Sequence, residues 1–236
     1  MSATDITQSQ GAISVRRNNR RKRWRWLLIS LATVSAILAW AAIDIYAPGQ
    51  TDIRRFDPQE VARLDTAMWR SYYSRERFLL FRQLSELLRT QYRLPFLRSN
   101  LTAYHAAKAA FVFKDGKSRA DYEKALPSLI SFYTELRKVS NIQFSVERAA
   151  RLELEWWIIH RERAKYQPGD LERALAELAA EVYQVPAEKM MEHARLRAEA
   201  MRIRDTKAEE GGVTEEDWRK IDELLRASWQ SLYSAL

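Results

Sequence analysis

The chain has 236 residues, room for one ordinary domain after an N-terminal segment of roughly 50 residues is set aside. Its 47% apolar content, with eight Trp and ten Tyr, excludes wholesale disorder, and six Gly and six Pro are too few for the turns of a sandwich, barrel or doubly wound sheet. The absence of cysteine excludes disulfides, thiolate metal sites, iron–sulfur clusters and Cys nucleophiles, and the net charge of +8 is concentrated at one end.

Residues 1–25 hold Arg16, Arg17, Arg20, Arg21, Lys22, Arg23 and Arg25 against a single acid, Asp5, so the remainder is close to neutral. No extended phosphate-binding face is expected on it, and no nucleic-acid partner. From Trp26 to Ile43 there is no charged residue, and Ile45, Tyr46 and Ala47 carry the apolar run past Asp44 to Pro48-Gly49. About 20 residues at 1.5 Å rise cross a hydrocarbon core of about 30 Å, so 26–47 is long enough to be a transmembrane helix. Trp24, Trp26, Trp40 and Tyr46 sit near its two ends, where amphipathic rings favour the headgroup region and anchor the span.

The basic cluster before the span is a topology signal that keeps residues 1–25 cytoplasmic, in contact with anionic lipids, and places the C-terminal part in the periplasm or its equivalent. A single-pass protein of the inner (cytoplasmic) membrane follows. A cleaved signal peptide is the competing reading, since Leu27–Leu38 and Ala39-Trp40-Ala41 fit an apolar region with its cleavage site; the run beyond the triplet to Ala47 favours the anchor.

Residues 48–56 read as a linker, and 57–236 as an all-α extracytoplasmic domain, a bundle of about eight helices. Asp57-Pro58-Gln59-Glu60 predicts an N-cap, a first-turn proline and a capping box, with Val61, Leu64, Met68 and Tyr72 at helical spacing. Phe81, Leu84 and Leu88 continue the pattern to Pro95. Asn100 is expected to cap a helix whose Ala103, Ala106, Ala107 and Ala110 admit a close neighbour, up to Lys114-Asp115-Gly116. Ser118-x-x-Asp121 opens the next, with a bend at Pro127. Residues 145–166 are apolar on most sides, which predicts a central helix. Helices follow after Pro168-Gly169-Asp170 and Pro186, then a loop over 206–213, and Thr214-x-x-Asp217 starts the last, with the stripe Trp218, Ile221, Leu225, Trp229 and Leu232. A short helical-repeat array is the alternative, although no fixed period marks one.

Three histidines, His105, His160 and His193, are present. His160 follows Glu153 by seven residues with Trp157 between them, which puts all three on one side of their helix as a candidate ligand or metal site. The plain reading pairs Glu153 with an arginine such as Arg89, Arg137 or Arg197 and gives His160 a structural hydrogen bond. Glu192 and His193 are adjacent and diverge round their helix. Asp65, beside an apolar stripe, reads as a buried charge partner. Trp69 with Tyr72 and Tyr73, and Trp156 with Trp157, form either core or a stacking surface for a ring-shaped or lipid-like ligand. Zinc-protease, serine-hydrolase and nucleotide-binding motifs are missing, and no cofactor is expected.

These observations lead to a non-enzymatic, membrane-anchored scaffold or accessory subunit that contacts a membrane or periplasmic protein. The alternative is a ligand- or metal-binding bundle around Glu153 and His160.

Overall fold

The computed structural model describes residues 3–47, 49 and 51–236, with side chains from residue 22 onward. Arg16, Arg17, Arg20 and Arg21 of the topology signal and Pro48 therefore lie outside the described side chains. The chain divides into two compact units, Met1–Ala47 and Pro48–Leu236. The first is one helix, α1 (Ala3–Tyr46), whose stretch Lys22–Tyr46 is long and apolar enough to cross a bilayer. Its Trp24, Leu27, Trp40 and Ile43 side chains are exposed, and the Thr33 hydroxyl donates to the Ile29 carbonyl at 2.9 Å. An internal bond of that kind removes the cost of a polar group in an apolar medium.

The second unit is all-α. Among the described residues it has no strand, only a single bridge between Thr51 and Ser140. Its helices are α2 (Pro58–Tyr73), α3 (Arg77–Thr90), α4 (Phe96–Asp115), the short α5 (Arg119–Glu123), α6 (Leu126–Val139), α7 (Val146–Arg161), α8 (Asp170–Tyr183), α9 (Met191–Glu209) and α10 (Glu215–Ala235). Apart from α5, each packs on the long helix before it and the one after it, and α10 packs back on α2. Short connections reverse the direction at every step. The result is a closed up-and-down ring of eight helices, which separates this fold from an open repeat array: an array would leave its first and last helices unpaired.

Local sequence accounts for most boundaries and for the places where expectation and structure part. Asp57 accepts from the Gln59 and Glu60 amides, but Glu60 turns to Arg63 (2.8 Å) instead of closing a capping box. Thr214 and Asp217 do form the reciprocal box. α4 begins at Phe96, four residues before the predicted cap, because Pro95 supplies an extended residue that ends the preceding turn; Asn100 is internal and donates to the Phe96 carbonyl at 2.7 Å. Pro127 lies in the first turn of α6, where a missing N–H costs nothing, so no bend forms. α9 runs to Glu209, and only the stretch around Gly211-Gly212 is loop.

The predicted linker is not free chain. The Thr51 amide donates to the Val139 carbonyl (2.7 Å) and the Asn141 amide to the Thr51 carbonyl (3.0 Å). A Cβ at Gly49 would stand 2.7 Å from Val139 Cα, so glycine alone permits this approach. Arg54 donates to the Tyr183 carbonyl at 3.0 and 2.5 Å, satisfying the C-terminal end of α8. Ile53 and Phe56 are buried; Phe56 meets the rings of Tyr92, Trp229 and Tyr233 at 6.1, 5.8 and 5.4 Å. Arg54 thus serves as a helix cap, and the two apolar residues on either side of Arg54-Arg55 close one end of the ring.

Cations close the helix ends at the opposite side. Arg161 donates to the carbonyls of Phe113, Lys114 and Gly116 at 3.2 Å each, and Lys114 donates to the Tyr72 carbonyl. Burial first, and then Arg75, Arg204 and Arg161, push Lys114 down to about 8.

Candidate functional site

The eight helices do not meet at the centre of the ring. They line a partly open cavity of about 370 Å³ to which every one of them contributes side chains. That volume lies in the range of small-molecule sites and holds on the order of a dozen water-sized volumes. The helix over 146–161 is consequently one stave of the ring and not its axis. Its apolar residues on most sides serve two neighbouring helices and the cavity together, which is why its pattern resembles that of a central helix.

α4 shows why the space remains open. Ala103 and Ala109 are fully buried in helix packing, but Ala106 and Ala110 border the cavity, where a larger side chain would fill it. The small residues that predict a close helix contact thus also leave a void. Trp69, Tyr72, Tyr73, Trp156 and Trp157 line it, so both aromatic clusters singled out in the sequence are wall residues.

Glu153, Trp157 and His160 all border the cavity, as their spacing on α7 predicts. Glu153 is held by two neutral donors: the Tyr133 hydroxyl at 2.7 Å and the Trp157 indole N–H at 2.9 Å. Burial raises its carboxyl above the ordinary range, and the Tyr133 bond, the Arg197 charge and the Trp157 bond offset this only in part. The same carboxylate and burial raise the Tyr133 hydroxyl well above its usual value.

His160 does not join Glu153. Its Nε2 lies 2.9 Å from Asp205 Oδ2, outside hydrogen-bond angles, and Arg163 and Arg204 approach the same carboxylate at 3.2 and 3.0 Å. Burial alone would raise Asp205; His160 and Arg204 outweigh it and hold the carboxyl below the ordinary range. Among the described residues no three His, Asp or Glu side chains converge as a metal site. The two α7 groups share a wall without sharing a centre.

Arg197, one of the predicted partners of Glu153, pairs instead with Asp65, the expected buried charge. Its guanidinium donates through both terminal nitrogens, stands 5.3 and 5.8 Å from the ring centroids of Trp69 and Trp229, and leaves Asp65 a further donor in the Trp229 indole at 2.8 Å. Burial opposes the charge on Arg197, yet Asp65 and Glu153 raise its value overall.

Two polar contacts could not be read from helical spacing. Tyr92 and Tyr183 share a hydrogen bond of 2.9 Å, and burial pushes Tyr92 up to about 12. His193 faces inward, with Nδ1 2.8 Å from Ser228 Oγ; burial and the Arg197 charge push it down to about 4, so its ring is neutral at pH 7. Glu192, adjacent in sequence, points outward to Arg195, as the divergence of neighbouring residues on a helix requires. His105 does not border the cavity.

Among the described residues the cavity therefore combines an aromatic and aliphatic wall, the Asp65–Arg197 ion pair, tyrosine hydroxyls, the neutral His193 imidazole, and the Glu153 carboxyl bonded only to neutral donors. It can hold a compact apolar molecule and orient it through a polar end. No family model, no curated protein and no solved structure matches the chain.

Proposed function

We propose that the protein is a membrane-anchored binding protein of the cell envelope, whose extracytoplasmic helical ring holds a small, mainly apolar ligand in its central cavity. The cavity carries this reading: interiors normally pack to crystal-like density, and a space of this size bordered by eight helices is a feature that the core would otherwise fill. The anchor and orientation rest on the apolar stretch Lys22–Tyr46 and on the basic residues preceding it.

Full-length protein in lipid nanodiscs should take up one equivalent of neopentylbenzene, seen as a change in Trp emission above that of empty nanodiscs. Ala110→Trp should abolish the uptake. Wild-type protein that takes up none would overturn the proposal. Protease treatment of intact and permeabilised cells tests the location separately: the ring should be cut only once the outer barrier is opened.

A scaffold or accessory-subunit role has its own support on the outer side of α4, where Phe96, Leu101 and Tyr104 are exposed on successive turns. In that reading a membrane or periplasmic protein covers them. Cross-linking from a photoreactive residue at Tyr104 in cells should then capture the partner, and a surface that captures none counts against it.

A further inference from the structure

The cavity's charges do not balance, and the imbalance names a ligand class. Asp65 and Arg197 cancel each other, and His160 lies beside Asp205, with Arg163 and Arg204 on the same carboxylate. His193 sits between Ser228 and the Trp229 ring and bears no charge at pH 7. Glu153 is left over. Among the described residues none of the ion pairs includes it, and both of its hydrogen bonds come from neutral groups that donate to a carboxylate. Those two donors orient the group and favour its ionised form, while burial opposes the charge and Arg197, already paired with Asp65, offsets that only in part.

The rings around Glu153 suit the missing charge. Tyr133, which bonds it on one side, has Phe132 edge-on at 4.9 Å; Trp157, on the other, has Trp156 edge-on at 6.1 Å. All four rings border the cavity. Aromatic faces beside a carboxylate attract an organic cation twice, through ring quadrupoles and through direct charge. An anion would meet Glu153, while Arg197, the one Lys or Arg among the described residues that line the cavity, is already engaged by Asp65.

We infer that the cavity takes a small organic cation, an aryl or alkyl ammonium, with Glu153 as its counter-ion. The inference rests on the cavity being a ligand site and adds the chemistry of the ligand.

Three probes of nearly equal size separate the possibilities by calorimetry on full-length protein in phosphatidylcholine nanodiscs, with empty nanodiscs subtracted. They are benzyltrimethylammonium, its neutral isostere neopentylbenzene, and the anion 4-phenylbutanoate. The cation should bind about tenfold or more tighter than the neutral isostere, and the anion most weakly. Glu153→Gln should remove that preference and leave neopentylbenzene affinity unchanged. Equal binding of cation and isostere, or a cation affinity that Glu153→Gln does not alter, would overturn the inference while the cavity proposal stands. If no probe binds, both fall. Should Glu153→Gln not fold, the wild-type ranking decides alone.

Discussion

The Asp65 carboxylate on α2 and the Arg197 guanidinium on α9 meet inside the ring although 132 residues separate them in the chain. Both are nearly inaccessible to water, and the Trp229 indole bonds the same carboxylate from α10. Removing one member of such a pair strands the other. Arg197→Met is expected to cost about 3–5 kcal/mol in denaturant unfolding, and the double variant Asp65→Leu/Arg197→Met substantially less than the sum of the two single changes. Additive costs would show that the two charges are not coupled.

His193 gives stability a pH dependence with a definite sign. Its folded value is lowered from 6.5 to about 4, so the unfolded chain binds more protons between those limits. The contribution is fully present above pH 6.5 and is lost as pH falls through about 4, with a slope of at most about 1.4 kcal/mol per pH unit. Glu153 acts in the opposite sense: its raised carboxyl contributes stability below its unfolded value of 4.5, lost as pH rises through the folded value. His193→Asn, which keeps a polar atom facing Ser228, should flatten the loss between pH 6.5 and 4. A variant curve parallel to that of the wild type would assign the acid sensitivity elsewhere.

Phe56 should behave as core although it lies outside every helix. Phe56→Ala removes ring contacts with Tyr92, Trp229 and Tyr233 and is expected to cost about 3–5 kcal/mol. Limited proteolysis would then cut between residues 49 and 57, a stretch that the wild-type hydrogen bonds to Val139 and Tyr183 protect. A wild-type and variant with the same cleavage pattern would contradict this.

Ala110→Leu distinguishes a cavity kept for binding from a packing defect. Filling it should raise thermal stability, by roughly 0.5–2 kcal/mol, and at the same time weaken probe uptake. Loss of stability together with unchanged uptake would place Ala110 in helix packing and not at the cavity.

Helical spacing was enough to put Glu153, Trp157 and His160 on a common wall, because the period of 3.6 is a property of one helix. It was also enough to mark Asp65 as a charge beside an apolar stripe. It could not assign their partners. Tyr133, Asp205 and Arg197 come from other helices, and their identity depends on the order of helices round the ring. The pairing of α10 with α2 leaves no mark on either helix alone, since each shows only an apolar face. The cavity was hidden for the same reason: Ala106 and Ala110 look alike in sequence whether a helix or an empty space faces them. The burial of Ile53 and Phe56 within the linker 48–56 left no mark in sequence, since two apolar residues on either side of Arg54-Arg55 show no helical period.

Closure of the ring also sets the order of events when the chain is made. α2 is synthesised first among the ring helices, yet one of its two flanking surfaces belongs to α10, the last of them. Until α10 has emerged, α2 keeps an uncovered apolar flank, and the chamber lacks its Trp229 and Leu232 wall. Contacts this distant in sequence are slow to form and leave apolar surface exposed meanwhile. The ring is thus completed only when α10 docks on α2, and a nascent chain that has not yet made this helix is an open, unfinished barrel without one wall of its cavity.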